Sequence, residues 1–147
     1  MGRGYAGSEP SGIAYAPGAV WVANSGDATA YHFSPTTFVN GPVARPSVGY
    51  RPSAIAYGER SIWVPNAGDG TLTRIDPLLN STRTIPLGGH PLAVAVSPGA
   101  IWVANSEGAV SRIDPITNMV VKEIHTGNRP AGLAVGHGFV WVTVQSP

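Results

Sequence analysis

Apolar residues in this chain gather into short runs of two kinds that alternate along its length. The first kind is small and aliphatic: Gly12-Ile13-Ala14-Tyr15, Ala54-Ile55-Ala56-Tyr57, Ala93-Val94-Ala95-Val96 and Gly132-Leu133-Ala134-Val135. It is nearly continuous in apolar character, the pattern of a strand buried on both faces. The second kind carries a tryptophan: Val20-Trp21-Val22-Ala23, Ile62-Trp63-Val64-Pro65, Ile101-Trp102-Val103-Ala104 and Val140-Trp141-Val142-Thr143. The tryptophans are spaced by 42, 39 and 39 residues, so the chain is an array with a period of about 40. A third segment alternates, as Thr29-Ala30-Tyr31-His32-Phe33, Thr71-Leu72-Thr73-Arg74-Ile75 and Ala109-Val110-Ser111-Arg112-Ile113. A fourth, Thr82-Arg83-Thr84-Ile85-Pro86-Leu87 or Val120-Val121-Lys122-Glu123-Ile124, is alternating and charged. That composition suits an outer edge strand, where Lys, Glu and Pro discourage sheet-to-sheet pairing.

Turn chemistry separates the segments. Each copy opens on a proline, Pro10, Pro52, Pro91 or Pro130. Pro17-Gly18, Gly58-Glu59, Pro98-Gly99 and Gly136-His137-Gly138 read as hairpin turns between the first and second strands. The tryptophan strand ends in Asn24, Asn66 and Asn105, leading into Ser25-Gly26-Asp27, Ala67-Gly68-Asp69-Gly70 and Ser106-Glu107-Gly108. Asp76-Pro77 and Asp114-Pro115 are type I signatures before the fourth strand, where the first copy has Ser34-Pro35-Thr36-Thr37. Each unit therefore reads as a four-stranded antiparallel meander, most buried at its first strand and most polar at its last.

The predicted fold class is all-β, a β-propeller of about three and a half blades. The divisions are an N-terminal extension over 1–9, blades over 10–51, 52–90 and 91–129, and a half blade of two inner strands over 130–147. Trp21, Trp63, Trp102 and Trp141 are expected in the blade core. Their regular period argues against a binding cage, which needs side chains converging at one point.

Charged residues make up 12% of the 147, and the net charge of +1 gives no general electrostatic case for nucleic acid or an anionic membrane. There is no cysteine, so disulfide and thiolate chemistry are excluded. No apolar run reaches the roughly 20 residues of a membrane helix. Met1-Gly2-Arg3-Gly4-Tyr5 lacks the apolar stretch of a signal peptide, and Ala6 stands where a myristoylation motif needs Ser or Thr.

The runs Gly99-Ala100-Ile101-Trp102-Val103-Ala104-Asn105, Arg112-Ile113-Asp114-Pro115-Ile116-Thr117-Asn118 and Pro130-Ala131-Gly132-Leu133-Ala134-Val135 resemble the YVTN family of bacterial β-propeller repeats. They are also similar to the propeller of virginiamycin B lyases. The likeness runs from about Pro10 to the end, over 90% of the chain. It implies the propeller fold and an extracytoplasmic or cell-surface location. The lyase likeness implies a metal-assisted β-elimination that opens a cyclic ester, with a His and an acidic residue near the channel. No motif places those catalytic residues on this sequence, so none is assigned, and no metal or other cofactor is expected.

In propellers the loop entering the inner strand and the loop after the second strand share a face. Glu9, Arg51, His90 and Arg129 immediately precede the four prolines and are expected around the channel mouth, with Asp27, Asp69 and Glu107 beside them. Two Arg and a His suit a small anionic ligand; the alternative is a solvated loop in which they pair with the nearby carboxylates. His32 is expected at the surface, His125 near the rim and His137 exposed in a hairpin turn, with no metal-ligand spacing among them. Asn66-Ala67-Gly68-Asp69-Gly70 lacks the alternating carboxylates of a calcium loop and reads as turn chemistry. Asn80-Ser81-Thr82 is a glycosylation sequon in an expected exposed turn. Arg74 with Asp76, and Arg112 with Asp114, read as a repeated ion pair. Nucleophile elbow, phosphate-loop and dinucleotide motifs are lacking.

Three full blades and two strands make fourteen strands, short of the roughly four to eight blades of a closed propeller. An open stack exposes apolar faces, so either the chain continues elsewhere or copies assemble, as a head-to-tail dimer or a filament. The leading functional reading is a non-catalytic module for protein or ligand binding and self-assembly. The alternatives are a metal-dependent lyase of the virginiamycin B kind and a sensor domain of a larger regulatory protein.

Overall fold

The computed structural model describes residues 5–36 and 40–146. The Met1-Gly2-Arg3-Gly4 start, Thr37 of the first-copy turn and Pro147 lie outside the described residues. The periodic segments form β1 (Pro10–Ala16), β2 (Ala19–Asn24), β3 (Thr29–Phe33), β4 (Ala56–Gly58), β5 (Ser61–Asn66), β6 (Thr71–Ile75), β7 (Thr82–Pro86), β8 (Pro91–Ser97), β9 (Ala100–Asn105), β10 (Ala109–Asp114), β11 (Met119–His125), β12 (Pro130–Gly136) and β13 (Phe139–Val144). The described residues contain no α-helix. Sequence neighbours pair antiparallel into four sheets, β1-β2-β3, β4-β5-β6-β7, β8-β9-β10-β11 and β12-β13. The architecture is an all-β array of propeller blades, with two full four-stranded sheets, one of three strands and one of two.

Among the described residues thirteen strands stand where fourteen are expected, because the first sheet shows no regular fourth strand there. Its place is held by two isolated bridges, Thr29 with Ser47 and His32 with Ala44. Pro42 and Pro46 each lack the amide that a ladder needs there. The inner strands share a device. A register shift falls between Pro10 and Gly12, between Pro91 and Ala93, and between Pro130 and Gly132. In the second sheet the same segment is interrupted: Pro52 forms an isolated bridge with Asn66, and β4 starts only at Ala56.

The burial gradient differs from the expectation. The second strands are the most buried, β5 throughout and β2 at nearly every position, while β1, β8 and β12 are largely half-buried or exposed. A second strand has a ladder on both edges and a packed sheet against its faces; a first strand has one ladder and a free edge. The last strand of the third sheet, β11, is exposed along its whole length, apolar Met119, Val120, Val121 and Ile124 included.

Alternation along β5 sends successive side chains to opposite neighbours. Ile62 and Val64 pack back onto Ala16, Trp21, Ala23 and Ala30 of the first sheet. Trp63 points forward with Leu72 and Ile85 onto Ile101, Val103 and Ile113 of the third. Each sheet thus has a backward face of branched aliphatics and a forward face carrying its tryptophan.

The hairpin between β4 and β5 turns at Glu59-Arg60, one residue later than Gly58-Glu59. Both residues are left-handed, at φ 49° and 57°, the requirement of a two-residue type I′ turn. Gly58 stays in the strand, where its carbonyl accepts a hydrogen bond from Trp63 Nε1 at 3.0 Å. A Cβ at Gly58 would run into Val96 of the third sheet, so this glycine answers a close approach between inner strands.

Candidate functional site

The loops at the expected channel mouth are built by a repeated backbone clamp. The carbonyls of Glu9, Arg51, His90 and Arg129 accept from the amides of Ser25, Ala67, Ser106 and Gln145, at 2.8 to 3.0 Å. Each residue that precedes a proline is thereby fixed to the end of its own sheet's second strand. Side chains reinforce the clamp. Asp27 Oδ2 accepts from the Ser8 amide at 3.1 Å and Asp69 Oδ2 from the Tyr50 amide at 2.9 Å. Asp69 Oδ1 also accepts from the Thr71 hydroxyl at 2.7 Å. In the third sheet Asn105 Oδ1 takes this role, accepting from the amides of His90 and Glu107. His90 Nδ1 lies 3.0 Å from the Ala67 carbonyl, linking the third sheet's entry to the second sheet's turn.

These bonds decide between two uses of the carboxylates. Asp27 and Asp69 hold backbone amides and hydroxyls, so they close turns instead of pairing with arginine. Among the described residues the salt bridge present is His125 Nε2 to Glu123 Oε1 at 3.6 Å, on exposed β11. Arg51, Arg129 and Glu107 are exposed, and among the described residues the two guanidinium groups have no carboxylate within salt-bridge distance. The structure brings each basic residue to the turn of its sheet; the described cavities lie elsewhere, around the hairpin turns.

A second repeated device joins neighbouring sheets and corrects several expectations. The third-strand side chain opposite each tryptophan lies over its indole: His32 stacks on Trp21 at 4.4 Å, Arg74 on Trp63 at 5.0 Å and Arg112 on Trp102 at 5.9 Å between the group centres. From there His32 and Arg74 each reach an asparagine in the next sheet's turn. His32 Nδ1 is 3.1 Å from Asn80 Oδ1. Arg74 Nη1 donates to Asn118 Oδ1 at 2.8 Å and to the Pro115 carbonyl at 2.6 Å, while Nε donates to Ser61 Oγ. His32 is therefore part of an inter-sheet latch and not a surface substituent. Asn80 itself is half-buried in that latch, within a turn whose Leu78, Leu79 and Ser81 are exposed. The ion pairs expected for Arg74 with Asp76 and Arg112 with Asp114 are absent, because each Asp Oδ1 caps the amides of its own turn, Leu78 and Leu79 or Ile116 and Thr117.

The tryptophans do not share one environment. Trp21 and Trp63 are fully buried, and Trp102 is half-buried with Nε1 on Ser97 Oγ. Trp141 is 63% exposed and Phe139 beside it 65%, so the placement of Trp141 in the blade core is corrected. It lies on the forward face of the last sheet, where no further sheet packs among the described residues. The backward face of the first sheet is open at its inner strand, with Ile13 72% and Tyr15 68% exposed, although Val22 and Phe33 farther along the same face are buried; the counterparts Ile55 and Tyr57 pack against the first sheet.

No group of three or more His, Cys, Asp or Glu able to hold a metal ion occurs among the described residues. The metal centre that a lyase likeness implies does not fit the described residues. Sequence reading passed over Arg60 and Arg83, which line a cavity with Arg74. The available signal was Arg60 at a turn position where the other copies have Gly18, Gly99 and Gly138.

No protein-family model and no curated protein sequence matches the chain. Solved structures do. A streptogramin B lyase superposes with a TM-score of 0.80 at 19% identity, over 93% of this chain and 48% of its own. The virginiamycin B lyase from Staphylococcus aureus gives 0.78 at 15%, over 93% and 49%. The computationally designed Ika4 protein gives 0.78 at 14%, over 99% and 94%. The chain spans about half the length of the lyases and nearly all of the designed protein. At these identities the likeness establishes the fold: the chain is a propeller array of the kind seen in virginiamycin B lyase.

Proposed function

We propose that the chain is a propeller module that binds and assembles instead of catalysing, and that the 147-residue chain takes its missing neighbours from a second copy joined head to tail. The observation that carries this reading is the pair of open faces. The forward face of the last sheet offers Phe139 and Trp141, with ring centroids 6.0 Å apart. The backward face of the first offers Ile13 and Tyr15. These are the two kinds of face that pack together at the interior junctions, where Trp63 points forward and Ile62 and Val64 point back. Such faces are self-complementary in one direction, and two head-to-tail contacts close a ring of eight sheets. The match over 94% of the designed protein supports the reading, since an array of this size makes up nearly all of that chain. The exposed guanidinium groups of Arg51 and Arg129, with His90, are what such a ring offers a small anion at its mouth.

A mixing experiment tests the direction of assembly. Tyr15→Asp damages the backward face and Trp141→Asp the forward face, so each variant alone sediments as a monomer with an unchanged far-ultraviolet spectrum. An equimolar mixture keeps one intact contact and regains the dimer. If either variant still dimerises alone, the joint is not head to tail.

A further inference from the structure

We propose that the second sheet carries a binding site for a tetrahedral oxyanion, a phosphate or sulfate group, on the hairpin-turn side opposite the channel mouth and independent of how the ring is completed. The site is a cavity of about 350 Å³ lined by Arg60, Arg74, Arg83, Ser81, Thr82 and Asn118, with Ser61 and Asp76 beside them. Three guanidinium groups face one carboxylate, a formal excess of two positive charges, and Asp76 Oδ1 is already bonded to the Leu78 and Leu79 amides. No carboxylate pairs with any of the three arginines within 4.0 Å among the described residues, where His125 with Glu123 is the salt bridge found.

Two features of the chain work against local stability at this point. Arg74 and Arg83 are direct cross-strand partners between β6 and β7, and like charges in that relation repel. Arg60 adopts φ 57° at the turn position where Gly18, Gly99 and Gly138 adopt 77°, 70° and 79°. The left-handed region is unfavourable for a side chain and free for glycine. A residue held there against its preference points to a role for its side chain, and this one lines the cavity.

The arginines divide the work. Arg74 is fixed by its stack on Trp63 and by its bonds to Ser61, Pro115 and Asn118, and supplies a preset positive charge. Arg60 and Arg83 are exposed, so their guanidinium donors are free to close on an anion in the forked geometry that suits phosphate and sulfate. The Ser81 and Thr82 hydroxyls add donors at the rim. The third sheet is an internal control: Arg112 faces Lys122 across β10 and β11, but its turn carries Gly99, so the third basic group is missing.

Calorimetric titration of the whole chain with inorganic phosphate and with phenyl phosphate, at low ionic strength, tests the site. The wild type binds both, and binding weakens as salt rises. Arg60→Gly lowers affinity at least tenfold while the melting temperature holds or rises, since the turn regains the residue its counterparts use. Arg83→Gln lowers affinity similarly, and Arg112→Gln leaves it unchanged. Flotation with phosphatidic acid vesicles separates the sources: capture that depends on Arg60 identifies a lipid headgroup, and its failure beside phenyl phosphate binding identifies a soluble ester. No phosphate binding by the wild type, full binding by Arg60→Gly, or equal loss in Arg112→Gln overturns the proposal.

Discussion

A tryptophan under a basic or imidazole side chain, which in turn bonds to the next sheet's asparagine, is the unit from which this array is joined. Its strength depends on whether the next turn is there to receive it. Arg74 has Pro115 and Asn118 as partners, whereas Arg112 has a 3.5 Å contact with the Gly99 carbonyl of its own sheet. Arg74→Met is therefore expected to cost about 1.5–3 kcal/mol, the range for hydrogen bonds to a charged group, and Arg112→Met within about 0.5 kcal/mol; urea denaturation of both variants measures the difference. Trp63→Ala empties a fully buried site and is expected to cost about 3–5 kcal/mol by the same measurement. The tryptophan repeat is legible in the sequence because one residue type recurs at one period. The latch is not, because Asn118 lies 44 residues from Arg74 and its triplet reads first as turn chemistry. Asp76 and Asp114 misled for the same reason: a carboxylate near an arginine in sequence is closer still to the amides of its own turn.

At the level of strands and turns, the sequence carries the ladder order well and the burial order poorly. Alternation, Asn-Gly-Asp turns and Asp-Pro corners place nearly every strand within two residues of where it lies. Burial along the inner strand was misjudged because a continuous apolar run reports small side chains suited to crowding, and not how many edges of the strand are paired. Gly58 shows the crowding directly. Gly58→Ala drives a Cβ into Val96 and is expected to lower stability by about 1–3 kcal/mol, the cost of overpacking. Gly136 holds the matching position in the last sheet with nothing within 4 Å, so Gly136→Ala serves as the matched control with a smaller loss of melting temperature. Equal losses would place the cause in strand propensity and not in the approach of the second and third sheets.

For the molecule as a whole, the interior junctions explain what the end faces lack. Trp63 is fully buried because the third sheet stands before it; Trp141, at the same position two repeats later, is mostly exposed. The repeat period announces the array but not what packs against its terminal faces, since interior and terminal copies share the hydrophobic-Trp-Val core. The complementary chemistry of the two open faces favours a second copy. The direct measurement is the native mass of the 147-residue chain by sedimentation equilibrium at micromolar concentration. Head-to-tail pairing gives a discrete species of twice 15.2 kDa; a monodisperse monomer of 15.2 kDa across the concentration range would contradict it.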